Sequence, residues 1–513
     1  MLHHRFFEVA RRNWDVLAMA DSTGQKLTYG RALTGALLFA RQIRARTDGQ
    51  EMVGLMLPAS VGGALANIAT LSAGRIPVNL NFTAGGDSIA VAIERCKIRT
   101  IITSRVFLEK AGIAATPAMV FLEDIRKSIG GADKVLAAAQ AKLAPLSVLK
   151  RWYGPSTDPD PLATVIFSSG STGIPKGVML THANILSNIE GFADLFPMTP
   201  KDCFIGVLPF FHSFGLTGTL WFPLLMGCGV AFHPNPMDAK VVGELAATYK
   251  GTMLIATPTF ANAYMRRCTR EQFAHMRHVV VGAEKLRLPL AEAFAQQFGV
   301  ELMEGYGCTE MSPVVSVNFA RPGTPVPSKT GTVGRPVKGV SAKVVDQHTG
   351  DGPLIGREGL LLVKGDCRMR GYLGEPERTA EVLRDGWYVT GDIASIDEDG
   401  FITITDRLSR FSKIGGEMVP HIRIEDAINE VLGEVCAAVT SVPDDARGER
   451  LVAFYTKTDV PPAHVWEQLN QTALPRLWLP RKDNIFFAEA IPTLGSGKVD
   501  LRKLRELAVA TSR

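Results

Sequence analysis

The chain has no Cys-x-x-Cys pair, no tandem repeat, no low-complexity tract and little net charge. Its seven cysteines, at 96, 203, 228, 268, 308, 367 and 436, are odd in number and scattered. That argues against a disulfide framework or a zinc site and fits a reducing cytoplasm. A formal charge of +5 over 513 residues gives no ground for nucleic-acid binding. No signal-peptide core precedes Arg11-Arg12. Long uncharged runs are also scarce. Only Ser213 to Phe232 raises the question of a bilayer span, which needs about 20 residues. Gly215, Gly218, Pro223, Gly227 and Gly229 interrupt it, so a buried helix followed by a buried strand is expected, while peripheral membrane contact stays open. Hydrophobic content of 46% with 21% charged residues is ordinary for a soluble enzyme. The chain is too long for one core, and roughly two to four structural units are expected.

What is present is most informative at Phe167–Gly177, which reads Phe-Ser-Ser-Gly-Ser-Thr-Gly-Ile-Pro-Lys-Gly. The apolar run Ala163 to Phe167 has the length of a buried strand. Gly170 and Gly173 allow close backbone approach. Ser168, Ser169, Ser171 and Thr172 add hydroxyl donors and Lys176 a cation, a set suited to holding a polyphosphate. It is not a Walker A loop, because Lys176 precedes Gly177 rather than Ser or Thr. The bland alternative, a solvated Ser/Gly connection, is weakened by the apolar continuation Val178 to His182, which makes a strand–loop–strand clamp. In Glu304-Gly305-Tyr306-Gly307-Cys308-Thr309-Glu310, a tyrosine between glycines can lay its ring against a base. Thr309 can donate to phosphate, and Glu310 offers Mg²⁺ an oxygen ligand. Alone, this string would be a surface turn after a strand.

These motifs closely resemble those of the adenylate-forming superfamily: acyl-CoA and acyl-carrier-protein synthetases, luciferases and peptide-synthetase adenylation domains. The resemblance recurs in order along nearly the whole chain. Gly282-Ala283-Glu284 resembles the family's wall of the adenine pocket. Trp387-Tyr-Val-Thr390-Gly391-Asp392 resembles its Thr-Gly-Asp motif, which implies that Asp392 accepts hydrogen bonds from the ribose hydroxyls and that Arg407 reinforces them. Leu208-Pro-Phe-Phe-His212 resembles the motif beside the acyl site, where His212 would orient the carboxylate; a core histidine is the plain alternative. Lys498, in Pro492-Thr-Leu-Gly-Ser-Gly-Lys, matches a lysine that enters the active site during adenylation. There it would hold two repelling anions together and stabilise transition-state charge.

The resemblance implies an ATP- and Mg²⁺-dependent ligase that makes an acyl-adenylate, then passes the acyl group to a thiol. The apolar stretch after His212, with no aspartate to hold an amine, favours a fatty acid. Arg410-Phe-Ser-Lys413-Ile-Gly-Gly-Glu417-Met-Val419 resembles the acyl-ACP synthetase domain of bacterial 2-acylglycerophosphoethanolamine acyltransferase/acyl-ACP synthetase, with Lys413 among the nucleotide-binding residues. Acyl carrier protein is therefore the expected acceptor, with Arg476, Arg481, Lys482, Arg502, Lys503 and Arg505 as a basic face for it. Coenzyme A is the alternative acceptor. Ser409 departs from the lysine or aspartate common two residues after the arginine. The acyltransferase's His-x4-Asp motif occurs twice, at His233 and His421, and chance explains both. A non-catalytic binding protein would lack one of Glu310, Asp392, Arg407 or Lys498, and a transporter would need more apolar spans.

The expected fold is α/β. A helix is expected over Ala32 to Arg46 and strands over Met253 to Ala256 and His278 to Val281; strands separated by helices to about residue 320 indicate two helix-covered, mostly parallel sheets. Asp351-Gly, Asp385-Gly and Asp399-Gly then mark a small antiparallel barrel. The expected domains are residues 1–405 for adenylation, a hinge at 406–410, and a mobile α+β lid at 411–513.

Overall fold

The computed structural model describes the chain except residues 84–85, 170–174, 321–325, 348, 415–416, 445–446, 494–498 and 512–513. It divides into two compact units. The first holds Met1–Ala342, Leu362–Val389 and Asp399–Ile402; the second holds Lys343–Leu361, Thr390–Glu398 and Thr403–Arg513.

The first unit is built on a nine-stranded sheet. Its spatial order is Arg335–Pro336, Val314–Val317, Leu302–Gly307, His278–Val281, Met253–Ala256, Cys203–Gly206, Gly229–Phe232, Leu17–Asp21, Lys26–Thr28. The six strands from Leu302–Gly307 to Leu17–Asp21 are mutually parallel, and the outer three each pair antiparallel with their inner neighbour. Several inner strands are apolar and buried along their whole length, as at Met253–Ala256. A strand covered by helices on both faces has no polar side to alternate with. A second sheet, Ile76–Asn79, Met52–Leu55, Ile101–Thr103, Met119–Phe121, is wholly parallel. The predicted helix-covered parallel sheets are present.

Helix starts follow side-chain caps. The helix expected from Ala32 begins instead at Tyr29, because the Thr28 hydroxyl accepts from Arg31 N–H at its first turn. Ser60 caps Val61–Ser72 in the same way, through Gly63 N–H at 3.1 Å. The uncharged run from 213 resolves into a helical turn Ser213–Gly215, a π-helical turn Leu216–Trp221, a helix Phe222–Met226 and the strand Gly229–Phe232. The buried helix-then-strand reading holds. Pro223 cannot donate to the carbonyl four residues back, and its ring crowds that carbonyl, so the wide turn sits where regular helix would be strained. Among the described residues, no helix is long and apolar enough to cross a membrane.

A five-stranded sheet, order Val340–Val345, Gly359–Gly365, Trp387–Ile396, Leu383–Arg384, with Ile402–Arg407 beside Trp387–Ile396, occupies the turn-rich region expected as a small barrel. Asp385 and Gly386 close a hairpin there with φ of 50° and 82°. Positive φ at both central residues gives the turn a twist that matches the flanking strands.

The second unit contains the sheet Glu417–Pro420, Phe411–Ile414, Gly448–Tyr455, Ala437–Asp444, with Ile485–Phe487 parallel on Gly448–Tyr455. Alternation along its strands sorts two cores. Val439, Leu451, Ala453 and Tyr455 pack with Ile424, Ile428 and Val465, whereas Ala438, Val452 and Phe454 pack with Leu504 and Ala508.

Candidate active site

The clamp around residues 170–174 is an antiparallel hairpin of Leu162–Ser169 and Pro175–Thr181. The first strand is longer than the apolar run, so Ser168 and Ser169 are strand residues that register with Lys176 and Pro175. Gly170, Ser171, Thr172 and Gly173 lie outside the described residues. Gly371–Tyr372 pairs with the hairpin's second strand, Tyr372 opposite Val178. This brings the Tyr372 ring under Lys176, whose Nζ stands 5.0 Å from the ring centroid.

Tyr372 reaches further. Its hydroxyl donates to Glu310 Oε1 at 2.9 Å, and both side chains are buried. Burial and the adjacent Glu310 carboxylate raise the phenol pKa, so it stays a donor. Glu310 sits in the 3-10 turn Thr309–Met311, which is fixed through its backbone by Met369 N–H donating to Glu310 C=O at 2.7 Å. Ser213 Oγ donates to Thr309 Oγ1 at 3.2 Å, which draws the His212 segment to the same turn. His212 is half-buried, with its ring 4.9 Å from that of Phe211.

Gly282-Ala283-Glu284 and Gly305-Tyr306-Gly307 become neighbours because their strands are parallel with Val281 opposite Glu304. A Cβ at Gly282 would lie 3.1 Å from Gly305 O, and one at Gly307 only 2.1 Å from Pro313 O. The glycines therefore let two chain segments touch at the ends of parallel strands, where open α/β sheets place ligands. Ala283 holds a φ of 71°, and Glu284 Oε2 accepts from Thr259 N at 3.2 Å and Oγ1 at 2.6 Å. Glu284 thus ties this turn to the start of the helix Pro258–Arg267. Glu304 Oε1 accepts from Leu286 N–H at 2.9 Å, and burial pushes its carboxyl up to about 7.

In the second unit, Arg407 Nε donates to Asp392 Oδ1 at 2.5 Å. The Asp392 carboxylate is 3% exposed and the Arg407 side chain 48% exposed, so the acid is buried while the arginine reaches solvent. Thr390 Oγ1 donates to Leu361 O and accepts from Asp392 N–H, which locks the turn. Next to Arg407, burial raises the Asp406 carboxyl to about 7. Lys413 lies in the strand Phe411–Ile414. Lys498 lies outside the described residues, in a segment bracketed by an antiparallel bridge between Thr493 and Val499.

The structure bears on three further sequence readings. Four of the six C-terminal cations face acids of their own unit: Arg481 with Asp444, Arg502 with Glu506, Lys503 with Asp500, and Arg505 with Glu449, at 3.7–3.9 Å. That weakens a basic face for an acidic carrier. His233 Nδ1 lies 2.8 Å from Ser22 Oγ, and Nε2 lies 3.6 Å from Asp238, so this ring pins a strand end to a turn. Buried His421 contacts Ser412 Oγ at 2.5 Å and is pushed down to about 3 by desolvation. All seven cysteines are free thiols; burial raises Cys96, Cys203 and Cys228 to about 12, which makes poor nucleophiles.

Tyr372 was invisible to sequence reasoning. Its partner Glu310 is 62 positions away, and Gly-Tyr-Leu-Gly by itself suggests only a turn.

The chain matches the family model "AMP-binding enzyme" over residues 6–373. It is 28% identical to a long-chain-fatty-acid–CoA ligase of Bacillus subtilis (strain 168), covering 94% of this chain and 90% of that protein. It is 32% identical to a 4-coumarate–CoA ligase of Vanilla planifolia, covering 69% of this chain and 65% of that one. Among solved structures, o-succinylbenzoate coenzyme A synthetase from Bacillus subtilis, in complex with ATP and magnesium ion, superposes with a TM-score of 0.80 at 20% identity over 98% of this chain and 99% of that one. With the strand-end glycines, the hairpin clamp and the buried Glu310 in place, the chain belongs to the AMP-binding enzyme family and is an ATP-dependent, AMP-forming acid–thiol ligase.

Proposed function

We propose that this chain activates a fatty acid as its acyl-adenylate and transfers the acyl group to coenzyme A. The observation that carries this is similarity to a long-chain-fatty-acid–CoA ligase over 94% of the chain. It rests also on the joining of Lys176, Tyr372 and Glu310 in one cluster. Similarity to acid–CoA ligases favours coenzyme A over an acidic carrier protein as the acceptor. Acyl carrier protein is the second reading, carried by the 410–419 and 492–498 strings.

In the first half-reaction the fatty carboxylate forms a bond to the α-phosphorus of ATP as the bond to the pyrophosphate oxygen breaks. Ser168, Ser169, Ser171, Thr172 and Lys176 would bind the leaving phosphates, and Thr309 would donate to them. Tyr306 would lie against the adenine beside Gly282, Ala283 and Glu284. Asp392, with Arg407 and Lys413, would hold the ribose side. His212 would orient the fatty carboxylate, and Lys498 would hold that anion and the α-phosphate together. Glu310 fits Mg²⁺: it is a hard oxygen donor, buried and oriented by a second hydrogen-bonding group. When bound, the ion would neutralise phosphate charge. In the second half-reaction a thiol attacks the acyl carbonyl, and AMP leaves. Residues 411–513 would act as a mobile lid on a hinge at 406–410, behind a domain of residues 1–405. The enzyme would work in the cytoplasm, with peripheral contact at a membrane.

The test is ATP–pyrophosphate exchange across fatty and aromatic acids, followed by thioester formation with coenzyme A or purified carrier protein. Exchange with fatty acids and a coenzyme A thioester are expected. Exchange with no acid would end the ligase reading, and a thioester on carrier protein alone would reverse the acceptor.

A further inference from the structure

The basic charge of this chain is concentrated. Residues 126–152 hold Arg126, Lys127, Lys134, Lys142, Lys150 and Arg151 against the single acid Asp133, a formal +5. That equals the net charge of all 513 residues, so the remainder is balanced.

The same stretch exposes large apolar side chains. In the helix Gly131–Leu143, Ala137 and Ala141 are fully buried. Ile125, Ile129 and Ala137 form a small core with Leu38, and Arg11 donates to the carbonyls of Gln140 and Ala141 at the helix end. The inner face is therefore anchored. The outward face carries Val135, Leu136 and Leu143, exposed by 72%, 51% and 76%; Leu143 lies two turns on from the adjacent pair, which puts all three on one helix side. Trp152, 47% exposed, ends the next helix, Leu146–Trp152. Lys134, next in sequence to Val135, and Arg151, next to Trp152, are exposed. Lys142 extends over the Trp14 ring, and Lys150 pairs with Glu8 at 2.6 Å.

Scattered apolar residues on a surface need no explanation; a cluster interleaved with cations does. From these features we infer that the outward face of residues 131–152 docks on the surface of an anionic phospholipid bilayer. The apolar side chains enter the headgroup boundary, and the lysines and arginines meet lipid phosphates. Charge complementarity argues for this occupant: a second copy of the chain would bring cations against cations. An acidic protein would satisfy the charges but leave Val135, Leu136 and Leu143 without a stated counterpart. The inference rests on the fatty-acid reading for its purpose, because a substrate that partitions into membranes is best collected there.

The test is flotation of the full chain with phosphatidylcholine vesicles, with and without phosphatidylglycerol. Binding is expected only with the anionic lipid and should fall with salt. Lys134→Glu with Arg151→Glu should lower that partition by on the order of tenfold or more. Val135→Ser, Leu136→Ser and Leu143→Ser together should lower it comparably. ATP–pyrophosphate exchange with a short, water-soluble acid should be unchanged in both variants. The inference falls if the wild-type chain does not float. It falls if either variant floats like wild type, or if the serine variant instead converts a dimer to a monomer. Flotation by a protein that activates no fatty acid would leave this surface standing and remove the fatty-acid reading alone.

Discussion

At the scale of single residues, Tyr372 is the side chain that makes the cluster work as a unit. Its hydroxyl supports the proposed metal ligand, and its ring faces the proposed phosphate-binding cation. Removing a hydrogen-bonding partner behind a metal ligand typically costs 10–100-fold in metal affinity. Tyr372→Phe should therefore raise the Mg²⁺ concentration for half-maximal pyrophosphate exchange by about tenfold, with a near-normal rate at saturating Mg²⁺. A magnesium titration checks this; an unchanged curve would remove Tyr372 from the site. Glu304 gives a pH prediction. Its folded pKa of about 7 is above the ordinary 4.5, through burial. Between those values the folded chain keeps a proton that the unfolded chain has lost, so stability falls as pH rises through that window and then levels off. Glu304→Gln keeps an acceptor for Leu286 N–H without the charge. Its advantage in melting temperature should be near zero at the acid end of the window and grow to a plateau above pH 7. That plateau should be worth about 3 kcal/mol.

At the scale of elements, the glycines of the Gly-Tyr-Gly strand end are steric requirements. Gly307→Ala would set a Cβ 2.1 Å from Pro313 O, in backbone that cannot swing away. We expect a loss of about 3 kcal/mol, read from the urea midpoint. Gly131→Ala, with nothing within 4 Å of its Cβ, is the control and should be neutral or slightly stabilising. Strands such as Met253–Ala256 and His278–Val281 were legible to the residue, because a doubly covered strand writes its burial as an unbroken apolar run. Asp385-Gly386 was legible because its dihedrals demand that residue pair. Starts were less legible: the 29–46 helix begins where a threonine hydroxyl caps it, ahead of the apolar repeat. Glu284 was expected against adenine, and its bond to Thr259 shows a local duty that the sequence did not reveal. Contacts between distant segments, such as Tyr372 with Glu310 or Ser213 with Thr309, leave no local pattern to read.

At the scale of the whole molecule, the proposed chemistry divides its residues between two compact units, with Glu310 in one and Asp392 and Arg407 in the other. The Arg407–Asp392 pair is half-exposed on the arginine side, and in the proposed chemistry Asp392 would also accept from the ribose hydroxyls. The sharpest test lies in the tail. Lys498 is proposed to act only while the carboxylate attacks ATP, because only then do two anions meet. Once the acyl-adenylate exists, thiol attack needs no such bridge. Lys498→Ala should therefore lose pyrophosphate exchange by about 10²–10³-fold, the scale of one electrostatic donor removed. It should keep most of its thioester formation from supplied acyl-adenylate. Equal loss in both half-reactions would mean that the lysine supports the fold or both steps. Loss in neither would place the bridging cation elsewhere, with Lys176 the next to replace.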